Sequence, residues 1–278
     1  METVKTMTEI IAEIENRVGV NTTTLECLDK KEMPTGIREI YSYCEHCGKS
    51  EQYLTEKGTL EMTDHRKCRR IAKFKRLSII SKYTDGNKFE KAEINNDKEK
   101  KYFEIYKKYV EHFELAKAEG IGFLLLGSSG TGKTFAADCI ANELTKRGYA
   151  VLSFTISGYL NEVKNSFDKK NPVNDVERNL LKAVEEADLT IIDDVGSEKI
   201  SEGWGAETMF NLFNTIYNNK KAVIVTSNLS ASELARHLTV NGSNKIADRI
   251  TELCKPLVYD WESRRAGIGK DKFKKFFG

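Results

Sequence analysis

Residues Gly127, Ser128, Ser129, Gly130, Thr131, Gly132, Lys133 and Thr134 form an uninterrupted G-x-x-x-x-G-K-T run. Glycines at these spacings let successive backbone N–H groups turn toward a single anion, which side chains with a Cβ would prevent. Lys133 is then placed to reach the β and γ phosphates of a nucleoside triphosphate, and the Thr134 hydroxyl to ligate Mg²⁺. The flanks suit this chemistry. Phe123 to Leu126 is a short apolar strand, and Phe135, Ala136, Cys139, Ile140 and Leu144 fall on one helical stripe behind the loop. That helix adds the positive end of its dipole to the anion site.

A second set of groups completes a hydrolytic pattern. Leu189-Thr190-Ile191-Ile192 is an apolar strand that ends in Asp193 and Asp194. Asp193 at the strand tip is expected to hold Mg²⁺, and Asp194 to polarise the attacking water. Ala222 to Val225 runs into Thr226-Ser227-Asn228. Spacing alone leaves open whether Asn228 orients water near the γ phosphate or caps the helix that follows. Asp248-Arg249-Ile250 and Ser263-Arg264-Arg265 offer guanidinium groups that could stabilise phosphoryl charge.

Cys44-x-x-Cys47 followed by His65-x-x-Cys68 gives two ligand pairs separated by a loop, the donor set of a tetrahedral Zn²⁺ site, with Cys27 as a substitute for His65. Tyr43, Tyr53, Leu54, Leu60 and Met62 supply only a small core, so a metal would help the segment fold. Cys139 and Cys254 sit among apolar residues and read as core.

These groups must be positioned by a larger frame. The 278 residues allow about two domains, and a net charge of +2 with 31% charged residues neither demands nor excludes nucleic acid. No stretch has the length of a membrane span, and the chain start lacks signal-peptide blocks, so the cytoplasm is the expected compartment and the six cysteines are expected as thiols or metal ligands. Met7, Ile10, Ile11, Ile14 and Val18 predict an amphipathic helix over residues 4–18, and Arg66 to Lys82 is a basic segment. Residues 1–83 read as an N-terminal unit, 84–100 as a linker and 101–278 as the nucleotide-binding domain. In the last, apolar strands at Val151–Phe154, Leu189–Ile192, Ala222–Val225 and Pro256–Tyr259 alternate with helical patterns, which predicts an α/β fold with a parallel sheet and nucleotide at the carboxyl ends of its strands. Lys164, Lys169 and Lys170 near Tyr159 and Phe167, and the tail Lys270 to Phe277, mix cations with aromatics as a surface for phosphates and bases does.

Taken together, the G-x-x-x-x-G-K-T loop, Ile192 to Glu198, Trp204 with Glu207 and Phe210, Thr226-Ser227-Asn228 and Asp260 to Arg265 resemble the DnaC/DnaI-type replicative helicase loaders, AAA+ ATPases similar to the IstB transposition ATPases. The resemblance implies an AAA+ ATPase domain behind a small zinc-binding, helicase-interacting domain. It implies ATP, Mg²⁺ and Zn²⁺ as cofactors. It casts Asn228 as sensor 1, Arg249 as an arginine finger acting on a neighbouring subunit, and Arg265 as sensor 2, with Arg264 as its substitute. The implied partners are a hexameric replicative helicase and single-stranded DNA, and an arginine finger acting in trans implies an assembly of several copies, either self-assembled or arranged on the helicase from a chain that is monomeric alone. Two positions depart from the pattern: Asp194 stands where many AAA+ enzymes have Glu, which implies slow hydrolysis, and Lys220 where relatives have Arg.

Overall fold

In the computed structural model the described residues are 36–43, 50–62, 66–78, 86–167, 176–198, 200, 203–239, 242–265 and 276. The predicted helix over residues 4–18 lies outside them. Residues 36–62 contribute a small antiparallel sheet, β1 (Ile37–Tyr43), β2 (Ser50–Thr55) and β3 (Leu60–Met62), in which the central β2 pairs with both neighbours. Leu60, read from sequence as core, is 58% exposed.

The larger sheet has five strands: β4 (Gly122–Gly127), β5 (Val151–Thr155), β6 (Leu189–Asp193), β7 (Ala222–Ser227) and β8 (Cys254–Tyr259), in the order β5-β6-β7-β4-β8. Every pair among them is parallel. β4, β5, β6 and β7 are buried on both faces, which is why they read as largely apolar runs, whereas the edge strand β8 alternates between buried and exposed residues. Alternation along β4 divides its residues between two cores. Leu124 and Leu126 join Leu152, Phe154, Ile192, Leu212 and Phe213 on one face. Phe123 and Leu125 join Tyr106, Tyr109, Ile140, Leu144 and Ile224 on the other. Each such side chain contributes about 1.5–3 kcal/mol relative to exposure.

Helices cover both faces. In chain order they are α1 (Arg66–Leu77), α2 (Asp97–Glu111), α3 (Phe113–Glu119), α4 (Lys133–Lys146), α5 (Ile156–Phe167), α6 (Val176–Glu186), α7 (Trp204–Asn218), α8 (Ala231–His237) and α9 (Lys245–Leu253). Asn96 caps α2 by accepting from Glu99 N at 2.7 Å, so the helix begins inside the stretch read as linker. The α/β architecture with a parallel sheet is as the sequence predicts.

The placement of α1 differs from the sequence reading, which groups it with residues 1–83. Its Cys68, Ile71 and Phe74 form a buried stripe at helical spacing, and Phe74 belongs to the core of the large sheet. Arg70 donates to the buried Asp188 at 2.7 Å, and Lys73 pairs with Glu186 at 2.7 Å. The stripe is obscured in sequence by seven Lys and Arg residues among the twelve of the helix.

Both open edges of the sheet are blunted by hydroxyl groups. On β5, Ser153 N donates to Ser78 Oγ at 3.1 Å. On β8, the Tyr102 hydroxyl accepts from Val258 N and donates to Val258 O, each at 3.2 Å. Unpaired strand edges otherwise offer a template for association.

Candidate nucleotide site

The order of the sheet decides which groups can meet. β4 carries the phosphate loop at its carboxyl end, and β7 lies between it and β6, so Asp193 at the tip of β6 must reach past β7 to meet the loop. Thr226 on β7 fills that gap. Its hydroxyl, on a residue 1% exposed, donates to Asp193 Oδ1 at 2.6 Å and accepts from Asp194 N at 2.9 Å. Asp193 Oδ1 also accepts from Thr134 Oγ1 at 2.9 Å. A hydroxyl and a carboxylate thus converge from α4 and β6, an all-oxygen donor set of the kind Mg²⁺ takes.

The loop itself is a cradle that only glycine could line. Gly127 has φ 139°, and a Cβ there would stand 2.2 Å from Tyr259 O. Gly130 has φ 84°, and its Cβ would stand 2.1 Å from Ser263 Oγ. Gly132, at φ 101°, forms the N-cap of α4 and leaves that helix's first N–H groups without a capping side chain, open to an anion. Thr131 is fully buried and ties the loop by donating to Ser128 O at 2.9 Å.

Lys133 is folded back into the loop, where its ammonium donates to Gly127 O at 2.6 Å, Ser128 O at 2.8 Å and Asn228 Oδ1 at 2.9 Å. Burial lowers its pKa below the ordinary lysine value; the carboxylates of Asp193 and Asp194 pull against that, and Arg265 adds to it. Phosphate oxygens are acceptors of the same kind and would relieve the burial penalty, so these residues fit a bound triphosphate.

Asn228 lies in the site. Its amide donates to Asp194 Oδ1 at 2.6 Å while its carbonyl accepts from Lys133. The helix start that spacing left open to it is taken by Ser230, whose hydroxyl and Glu233 form a capping box for α8. Asp194 is one of two non-glycine residues with positive φ, at 61°, among those described. This conformation turns its carboxylate to Asn228 and is uncommon outside glycine. Downstream, Glu198 accepts from Gly196 N at 2.8 Å and meets His237 Nε2 at 2.9 Å, which fastens the loop after β6 to the end of α8.

The two C-terminal arginines part company. Arg265 Nη1 donates to Ser129 Oγ at 3.2 Å, at the phosphate loop, whereas Arg264 is held by the buried carboxylate of Glu99. Arg249 is not brought to this cluster. Its guanidinium carbon lies 4.7 Å from the Phe210 ring centre and 5.4 Å from that of Tyr217, both on α7, and its Nη1 is buried with no hydrogen-bond partner among the described residues. Glu207 and Phe210 line a groove together with Lys245 and Ile246.

Of the sequence-derived zinc ligands, Cys44, Cys47 and His65 lie outside the described residues; Cys68 is buried on α1. Lys169, Lys170 and most of the basic tail also lie outside them. Tyr159, read as a base-stacking candidate, is fully buried and stacks on Phe154 at 5.5 Å, so its ring is core. Sequence reasoning gave no role to Thr226, Trp261 or Glu99. The signal for Thr226 was a hydroxyl at the carboxyl end of a strand otherwise apolar.

A family model described as IstB-like ATP binding protein matches residues 38–269. The replicative helicase loader DnaI of Bacillus subtilis is 22% identical over 273 residues, which covers 86% of this chain and 86% of the relative. Protein XkdC of the phage-like element PBSX, also of B. subtilis, is 28% identical over 243 residues, 81% of this chain and 87% of the relative. Among solved structures, that of the DnaC helicase loader superimposes with a TM-score of 0.54 at 24% identity, over 64% of this chain and 98% of the other, and so shares the fold.

Proposed function

We propose, on the premise that this chain belongs to the IstB-like ATP-binding protein family, that it is an ATP-dependent loader of the replicative DNA helicase onto single-stranded DNA. The observation that carries the reading is the similarity to DnaI over 86% of this chain and 86% of the relative, more than the nucleotide-binding domain alone would account for. Mg-ATP, when bound, supplies the phosphoanhydride whose cleavage drives the conformational cycle. Lys133 would exchange the loop carbonyls for the phosphates, Thr134 and Asp193 would hold the metal, and Asp194 would accept the proton of a water that Asn228 orients. Asp194 is one methylene shorter than glutamate and is tied to Asn228, so turnover on the isolated chain is slow.

Arg249 acts in this reading as an arginine finger on a neighbouring copy. Its guanidinium rests against Phe210 and Tyr217 rather than in a salt bridge among the described residues, which supports that role, although presenting the buried Nη1 to a phosphate on another subunit requires the side chain to turn outward. Full activity then needs several copies arranged on the helicase, while the chain alone is monomeric. Residues 1–83 carry the helicase contact and the Zn²⁺ site of Cys44, Cys47, His65 and Cys68.

Light scattering on the full chain mixed with a hexameric replicative helicase, with and without Mg-ATP, tests the reading. A discrete complex is expected, lost when the residues ahead of α1 are removed. No complex with an active helicase sinks it. The match to an IstB-like family model supports one second reading, in which the chain is an ATPase that binds duplex DNA and assists a transposase. ATP-dependent filaments on duplex, with weaker binding to single strands, would decide for that alternative.

A further inference from the structure

The residues after β8 form a strap across the phosphate loop. Trp261 Nε1 donates to Thr131 O at 2.9 Å, Arg264 N donates to Gly130 O at 3.0 Å, and Arg265 Nη1 donates to Ser129 Oγ at 3.2 Å. Ser263 lies so close that a Cβ on Gly130 would overlap its hydroxyl. Three consecutive loop residues are therefore read by one short segment, and the height of that segment sets where the Arg265 guanidinium stands.

The strap is held from behind by α2. Glu99, 1% exposed, directs Oε1 at Arg264 Nη2 and accepts from Asn95 N on Oε2 at 2.9 Å. Both carboxylate oxygens are thus occupied, and Glu99 N is itself fixed by Asn96. One residue earlier, Lys98 meets Asp260 at 2.6 Å, and one turn later Tyr102 bonds to the backbone of Val258 and packs on Trp261 with ring centres 6.1 Å apart. Of these links the Glu99–Arg264 pair is the buried one, made through Arg264 Nη2 alone, and a buried charge left without its partner is costly. Lys98–Asp260 is exposed and contributes little. Arg264 cannot lift without leaving the Glu99 carboxylate alone in the interior, and Arg265 is its covalent neighbour.

We propose that Glu99 is a positioning residue of the nucleotide site, holding Arg264 so that Arg265 stays over the phosphate loop. The proposal rests on the reading of that loop as an ATP-hydrolysing site with Arg265 on the phosphates. Glu99 touches no substrate atom. Its effect passes through two adjacent arginines, the first fixed by the carboxylate and the second directed at Ser129.

The test is steady-state ATP hydrolysis by the full chain, wild type, Glu99→Gln, Arg265→Ala and the double variant, with folding checked by thermal melting. A displaced charge-stabilising group costs about ten-fold or more in kcat. Glu99→Gln is expected to lower kcat by about that factor, with KM for ATP changing much less, and to add nothing once Arg265 is alanine. An equal fold-loss from Glu99→Gln in both backgrounds is what a general packing defect gives, and it overturns the proposal, as does unchanged kcat in a folded Glu99→Gln protein. If Glu99→Gln does not fold, Arg264→Lys, which keeps the charge and removes the Nη2 that meets Glu99, is read in the same two backgrounds. If the wild type hydrolyses no ATP, the hydrolysis reading fails on its own, and the Kd for Mg-ATP of the same four proteins decides on Glu99 by the same criterion of non-additivity.

Discussion

Removing the Thr226 hydroxyl while keeping its volume, as Thr226→Val does, tests whether the strand between the two acidic tips is what aligns them. In the structure that hydroxyl makes a bond of 2.6 Å to the Asp193 carboxylate and receives one of 2.9 Å from Asp194 N. A hydrogen bond to a charged group contributes about 1.5–3 kcal/mol, and an orphaned N–H costs about 1–3 kcal/mol. Burial of the added methyl returns about 0.8 kcal/mol. The net expected loss is therefore about 3 kcal/mol, on the order of 10 °C in Tm for a domain of this size. Differential scanning fluorimetry of nucleotide-free protein measures it. Thr226→Ser, which keeps the hydroxyl, should recover all but about 1 kcal/mol. Turnover should fall with Thr226→Val as well, because Asp193 is then free to swing from Thr134. If Thr226→Val melts within about 2 °C of wild type, or if serine is no better than valine, the bridging account is wrong.

Three further outcomes follow from the same geometry. Gly130→Ala sets a Cβ against Ser263 at a φ of 84° and should abolish nucleotide binding while leaving the fold, as read by titration with a fluorescent ATP analogue beside circular dichroism; retained affinity would remove the strap from the loop. Burial alone would push the Asp188 carboxyl up, but the Arg70 guanidinium, the Ala150 N–H and Lys117 outweigh it and hold its pKa below the ordinary aspartate value. A depressed value gives stability that is present above the unfolded pKa near 3.9 and lost as pH falls through the folded one, so Asp188→Asn should cost about 3 kcal/mol at neutral pH and the gap to wild type should narrow progressively as pH falls below about 4. A gap that persists in acid would mean that the loss is packing rather than charge. Elemental analysis of purified protein should find stoichiometric zinc in wild type and a deficit in Cys44→Ser; a metal-free wild type excludes the zinc module.

The parts of the fold that were legible in sequence were those governed by local periodicity. The apolar runs of β4, β5, β6 and β7 are legible because these parallel strands are covered on both faces, and the loop glycines are readable because other residues rarely adopt their φ values. Asp193, Asp194 and Asn228 could be placed at strand tips for the same reason, each following an apolar run. What could not be read was the order of the strands. Nothing in the local pattern says that Ala222–Ser227 inserts between the strand of the loop and the strand of the aspartates, and without that order Thr226 is one more strand threonine. The role of α1 was hidden differently: seven cations on one helix suggest a solvated face, yet the apolar stripe of Cys68, Ile71 and Phe74 occupies the other.

Glu99 shows why long-range pairs stay out of reach of sequence. It stands 165 positions from Arg264, in a helix whose first turn would favour an acidic residue for the dipole alone. A carboxylate at that place has a sufficient local explanation, so its distant one leaves no trace in the local pattern. The structure separates the two. A residue serving only the dipole can stay solvated, whereas Glu99 is 1% exposed and has a guanidinium on one oxygen and a backbone N–H on the other. Burial of a charge is tolerated where its partner is fixed, and here the partner belongs to the segment that covers the phosphate loop. The same reasoning applies to Asp188, buried where α1, α3 and the start of β5 meet, with Arg70, Lys117 and Ala150 N as its partners. Each buried acid thus joins segments far apart in sequence to the same sheet, Asp188 at the end where β5 and β6 begin and Glu99 near the end where nucleotide would bind.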